Sequence, residues 1–86
     1  MSKPVELTLI GKPQCHLCDV AQDVVDRVVG ELEPSRSVTV EHRSIADDAA
    51  LYEQYWEQIP VLLVNGSEHA HWHIDPDRLR AAILEA

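Results

Sequence analysis

The apolar residues change period twice within the first half of the chain, and that change constrains the fold more than any other feature. Val5-Glu6-Leu7-Thr8-Leu9-Ile10 alternates apolar and polar side chains before becoming continuously apolar, as a strand does, and Gly11-Lys12-Pro13 breaks it. From Leu17 onward Val20, Ala21, Val24, Val25, Val28 and Leu32 recur at helical spacing, while Gln22, Asp23, Asp26, Arg27 and Glu31 take the opposite face. Valine is a mediocre helix former, so packing must outweigh propensity along this stripe. After Pro34-Ser35-Arg36 the β-branched run Val38-Thr39-Val40-Glu41-His42-Arg43 reads as a second strand. Crossing through a helix makes this strand parallel to the first, with a right-handed connection.

The second half reads through its punctuation. Asp47 and Asp48 can cap a short helix carrying Leu51, Tyr52 and Tyr55. Pro60-Val61-Leu62-Leu63-Val64 is a fully apolar run, hence a buried third strand. Asn65-Gly66 supplies the positive φ angles of a two-residue hairpin, so a fourth strand from Glu68 to Ile74 is expected to run antiparallel to the third. Asp75 and Pro76 start a last helix, with Leu79, Ala82, Ile83 and Ala86 on one face. The order βαβαββα describes a single α/β domain over residues 1–86, with a four-stranded mixed sheet flanked by helices.

Composition narrows the function classes. A chain of 86 residues can bury one modest core, and with two Trp and no Phe that core must be built from Val, Leu, Ile and Ala. The net charge is −8, with most of the excess acid after Arg43, so no basic patch exists to neutralise phosphates and nucleic acid is not an expected partner. The N-terminal Met1-Ser2-Lys3-Pro4 lacks the apolar run of a signal peptide or membrane span, so a cytoplasmic monomer with no membrane association is expected.

In a reducing compartment, two cysteines three positions apart argue for redox or metal chemistry and against a structural bridge. Cys15 and Cys18 lie between the end of the first strand and the start of the first helix. There, backbone N–H groups and the positive end of the helix dipole face the Cys15 sulfur. Such positions lower a cysteine pKa from ~8.5 to between ~3.5 and ~7.5. Lys12 and His16 can add positive charge, whereas Asp19 opposes it. The two-residue spacer lets Cys15 attack an external disulfide and Cys18 displace the product, with Cys18 expected on the buried side beside Leu17 and Val25. Zinc ribbons share this spacing, but no second such pair occurs here.

With Lys12 three residues before Cys15, Cys15-His16-Leu17-Cys18 opening a helix and Gln58-Ile59-Pro60-Val61 opening the third strand, the sequence resembles glutaredoxin-like thiol proteins of the thioredoxin fold. The resemblance runs from Val5 to Ala86, and Cys-His-Leu-Cys-Asp with Trp72 before an Asp-initiated last helix is similar to short bacterial members. It implies a thiol–disulfide oxidoreductase without a cofactor, acting on protein or small-thiol disulfides and recycled by glutathione, another thiol or a reductase. It also implies a cis bond at Ile59-Pro60, packed against the disulfide, with the Ile59 backbone pairing to substrate. Glutaredoxins usually carry Pro-Tyr between the cysteines and Gly-Gly before the last helix, where His16-Leu17 and His73-Ile74 stand here. Glutathione is accordingly expected to serve poorly, because Ile74 would hinder the close backbone approach that glycine permits and the second half is acidic. Asp75, Asp77 and Lys12 are the charges that could still meet it.

Two other readings use the same residues: a metal or metallocluster binding protein, and a redox-inactive binding module. A regular fourth strand would align the imidazoles of His69, His71 and His73 on one face, a spacing able to seat metal ligands, but a polar edge-strand face explains it as well and no metal residue is assigned. Trp72 either docks beneath the last helix or forms part of a substrate surface, and core packing is the expected outcome.

Overall fold

The computed structural model describes residues 3–86. Its elements are β1 (Val5–Gly11), α1 (His16–Leu32), β2 (Val38–Ser44), α2 (Ala49–Tyr55), β3 (Val61–Val64), β4 (Ser67–His71) and α3 (Pro76–Glu85). The element order is the one expected, and the strands form one sheet in the order β2-β1-β3-β4. β1 pairs parallel to β2 from Val5–Val38 to Gly11–Ser44, and antiparallel to β3 from Leu7–Val64 to Ile10–Val61.

Because successive side chains of a strand point to opposite faces, the central β1 feeds two cores. Val5, Leu7 and Leu9 pack with Leu62, with Ala21, Val25 and Val28 of α1, and with Leu79 and Ile83 of α3. Ile10 turns the other way and joins Ile45 and Val61 beneath Leu51 and Tyr55 of α2. α1 and α3 therefore share one face of the sheet and α2 covers the other. Arg80 of α3 ties the first pair by reaching Glu31 of α1 at 2.6 Å, and it also holds Asp77 at 2.8 Å.

Local signals set the element ends. Asp48 accepts the Ala50 and Leu51 N–H groups at 2.9 and 3.2 Å to open α2, and Asp75 accepts from Asp77 and Arg78 at 2.9 and 3.4 Å to open α3. Asn65 and Gly66 take φ of 51° and 85°, as a tight hairpin of the expected kind requires. The Glu33–Pro34 and Ile59–Pro60 peptide bonds are both cis.

Three expectations need correction. The first turns of α1 extend beyond the core, leaving Leu17 and Val20 38% and 42% exposed. β4 stops at His71, short of the Ile74 end read from the pattern. Its ladder is also irregular: Ala70 pairs with Leu62 but Glu68 pairs with Leu63, so His69 is an extra residue. The bulge cancels the simple alternation, bringing Glu68 and His71 together at 3.5 Å and leaving the three histidines without a common face. Among the described residues, no helix is long and apolar enough to cross a membrane.

Candidate active site

The chain leaves β1 at Gly11 and enters α1 at His16 through a loop containing Lys12, Pro13 and Gln14, the last with φ of 57°. Cys15 is the N-cap of this 17-residue helix, and its sulfur accepts the Cys18 N–H at 3.2 Å. One of the unpaired donors that every helix N-terminus presents is thus aimed at the Cys15 sulfur. Cys15 and Cys18 are joined as a disulfide with a Cα–Cα separation of 5.2 Å, inside the range that this bond spans without backbone movement.

The two sulfurs differ in their surroundings. Both cysteines are half-buried. What distinguishes Cys18 is Gly11: a Cβ at that position would lie 2.9 Å from the Cys18 sulfur and 3.3 Å from its Cβ. The end of β1 and the first turn of α1 therefore meet at a distance only glycine allows. Cys18 also opens onto a cleft of about 300 Å³, lined by Lys12, Asp19, His42 and Asp47 among others. His42 reaches it because it is paired with Leu9, two residues before Gly11 on the same sheet face.

Lys12 lies exposed in the loop and shares the cleft with Cys18, and His16 is exposed at the first helical position. Ile59 and Pro60 arrive from the other side of β1. The last pair of the β1–β3 ladder is Ile10–Val61, so Pro60 follows at the end of β1 where Gly11 leads into the cysteine loop. Pro60 is buried and Ile59 packs on the smaller apolar cluster.

Trp72 does not dock beneath α3. Its indole is half exposed and donates from Nε1 to the Glu57 carbonyl at 3.0 Å. Its backbone N–H donates to the Pro60 carbonyl at 2.8 Å, and its φ is 64°. The His73 N–H closes a three-residue turn around it onto the His71 carbonyl at 2.8 Å. Such left-handed turns are rare, and a bulky residue at their centre is strained by roughly 1–3 kcal/mol. Ile74, expected to obstruct a ligand, is instead 7% exposed and belongs to the larger core.

Of the three neighbouring histidines, His69 is held below its ordinary pKa by burial and then by the Arg78 charge. Among the described residues, no group of three or more His, Cys, Asp or Glu side chains is arranged to hold a metal ion.

The sequence does not mark Gly11 and His42 as site residues, and it leaves Trp72 between the core and a substrate surface. Gly11 carried a detectable signal, a glycine ending the strand before two cysteines, which was read only as a breaker. His42 needed the strand register, and the Trp72 turn depends on contacts with residues twelve and fifteen positions away.

The family model for the Glutaredoxin-like domain (DUF836) matches residues 6–84. An uncharacterized protein of Mycobacterium tuberculosis is 27% identical over 87 residues, covering 100% of this chain and 89% of its own length. An X-ray structure of a structural-genomics target protein from X. campestris superposes with a TM-score of 0.74 at 32% identity, covering 93% of this chain and 97% of the other. The oxidized mitochondrial thioredoxin 3 of Saccharomyces cerevisiae superposes with a TM-score of 0.68 at 11% identity, covering 99% and 81%. That last likeness concerns the fold, which is α/β and thioredoxin-like. With the family model spanning residues 6–84 and thus nearly every element, the chain belongs to the glutaredoxin-like domain family.

Proposed function

We propose that the protein is a dithiol oxidoreductase that reduces disulfides of proteins or small thiols. The observation that carries this reading is the Cys15 sulfur capping α1, with the Cys18 N–H pointing at it from 3.2 Å. In the reduced protein the same donor and the helix dipole would favour the Cys15 thiolate over the thiol. Lys12 adds positive charge from the loop, His16 from the first turn, and Asp19 opposes them.

The cycle balances without a cofactor. The Cys15 thiolate attacks one sulfur of the target disulfide, forming a mixed disulfide and releasing the first target thiolate, which takes up a proton. The Cys18 thiol loses its proton and attacks the Cys15 sulfur, so the second target thiolate leaves and the Cys15–Cys18 disulfide forms. Two electrons have passed to the target. A thiol or dithiol donor then returns two electrons and two protons, with Cys18 leaving first from the bond. Ile59 and Pro60, which lead into β3 where it pairs with the end of β1, would act as the clamp for the target segment. The direction of the reaction requires a reducing compartment such as the cytoplasm.

Glutathione is a poor donor in this reading, since the net charge of −8 repels an anionic thiol peptide. Turnover measured side by side with glutathione and with a thioredoxin-reductase system checks that point. The central test is the pair Cys15→Ser and Cys18→Ser. The first should abolish disulfide reduction. The second should accumulate a mixed disulfide on Cys15, identified by mass; loss of both the reaction and the trapped species in Cys18→Ser would overturn the assignment.

A further inference from the structure

Trp72 is the residue whose conformation the fold works hardest to hold. Its backbone sits in the left-handed region at φ 64°, in a turn closed by the His73 N–H on the His71 carbonyl. Three contacts keep it there. Its N–H is on the Pro60 carbonyl at 2.8 Å, its indole Nε1–H is on the Glu57 carbonyl at 3.0 Å, and the His71 ring stands edge-on to it at 4.8 Å. Two of those contacts fall on the segment that delivers Ile59 and Pro60 to the dithiol. All the polar capacity of the indole is used on the protein, and yet half of the ring faces solvent. A tryptophan fastened by its polar edge and left open on its apolar face is built to receive something apolar.

A second exposed aromatic pair precedes the segment that Trp72 holds. Trp56, immediately before Glu57, is also half exposed and stacks on the exposed Tyr52 with ring centroids 6.2 Å apart. The nearby charges are mostly acidic: Glu57 precedes the clamp, and Glu68 and Asp75, both exposed, flank the Trp72 turn, while Asp77 is paired with Arg80 and Arg78 is the exposed cation beside them. An apolar platform within an acidic surround suits a polypeptide with an apolar side chain beside its disulfide and no acidic residues around it. It does not suit a small anionic disulfide.

We propose that Trp72 is a specificity-determining residue: it braces the Glu57–Pro60 segment and presents its indole face to an apolar side chain flanking the target cystine of a neutral or basic polypeptide. This rests on the oxidoreductase reading. The left-handed turn also offers a clean variant, because glycine adopts that backbone without strain. Trp72→Gly therefore removes the indole while relieving the turn, and Trp72→Phe keeps an aromatic face but loses the Nε1 bond.

The experiment compares two substrates with the full-length reduced protein and a common electron donor. One is a disulfide-linked peptide dimer with leucine on each side of cysteine and no acidic residues; the other is bis(2-hydroxyethyl) disulfide, which has no side chain to place on the indole. For Trp72→Gly, the ratio of kcat/KM for the peptide to kcat/KM for the small disulfide should fall roughly tenfold, through the peptide KM rather than its kcat. Trp72→Phe should recover most of that ratio. A ratio unchanged in Trp72→Gly, or one lowered through kcat alone, would overturn the proposal, as would a wild-type dimer that dissociates in Trp72→Gly with peptide kinetics unaffected. Wild-type protein inert toward both substrates would instead overturn the oxidoreductase reading beneath it.

Discussion

Replacing Gly11 with alanine tests the contact on which the geometry of the dithiol depends. Gly11 lies in β1 with ordinary extended backbone, so alanine is acceptable there to the main chain and the effect is one of space. The new Cβ would stand 2.9 Å from the Cys18 sulfur and 3.3 Å from the Cys18 Cβ, closer than real side chains approach. Overpacking of this kind costs about 1–3 kcal/mol, and the reduced freedom of the unfolded chain returns about 0.4–1 kcal/mol. A net destabilisation of about 1–2 kcal/mol is expected for the disulfide form, equivalent to a fall in Tm of roughly 5–15 °C for a domain of this size. The two redox forms should not suffer equally. In the disulfide the sulfur is pinned by Cys15, whereas in the dithiol it can rotate away from the intruding methyl group. A difference of about 1 kcal/mol between the forms makes the couple more oxidising by about 20 mV. Thermal unfolding of both forms, with equilibration in thiol–disulfide buffers of known potential, measures both quantities. A Gly11→Ala protein as stable as wild type in the disulfide form, with the same midpoint potential, would refute the reasoning.

Other consequences can be measured independently. With the Cys18 N–H directed at its sulfur, Cys15 in the reduced protein should alkylate roughly tenfold faster near pH ~6 than cysteine in an unstructured peptide; equal rates would remove the case for thiolate activation. Asp75→Ala deletes the cap that accepts two N–H groups of α3 and should lower stability by about 1 kcal/mol in denaturant titrations, and a change within error would show that Pro76 and packing suffice. His69 is held below its ordinary pKa, first by burial and then by Arg78. The unfolded chain therefore takes up that proton first, and stability should decline as pH falls from about 6.5 toward the folded-state value while being unaffected above it. His69→Gln should flatten that part of the profile, and a profile identical to wild type would assign the decline elsewhere.

The parts of the fold legible in the sequence are those decided within a few residues. Asn65-Gly66, Asp48 and Asp75 each act on their immediate neighbours, and each does so as the pattern indicates. The parallel β1–β2 pair was also readable, because a helix between two strands leaves little topological choice. What escaped depends on partners distant in sequence. The alternation of His69, His71 and His73 reads as regular until the pairing with β3 shifts between Leu62 and Leu63. Trp72 reads as a core residue because nothing local reveals the Glu57 and Pro60 carbonyls that hold it outside. Leu17 and Val20 continue the apolar stripe of α1 by spacing but join neither apolar core and stay exposed, so periodicity overstated the buried face.

The unequal cores on the two faces of the sheet have a kinetic consequence. α2 has seven residues, none of them fully buried, and the cluster beneath it is built on three residues; α1 and α3 contribute five buried side chains to the core on the other face. Amide protons of α2 should therefore exchange with deuterium through local opening, while those of β1 and the middle of α1 wait for global unfolding. That opening would loosen the Trp56–Gln58 segment, which follows α2 directly, while the Cys18 N–H bond that caps α1 on Cys15 stays in place.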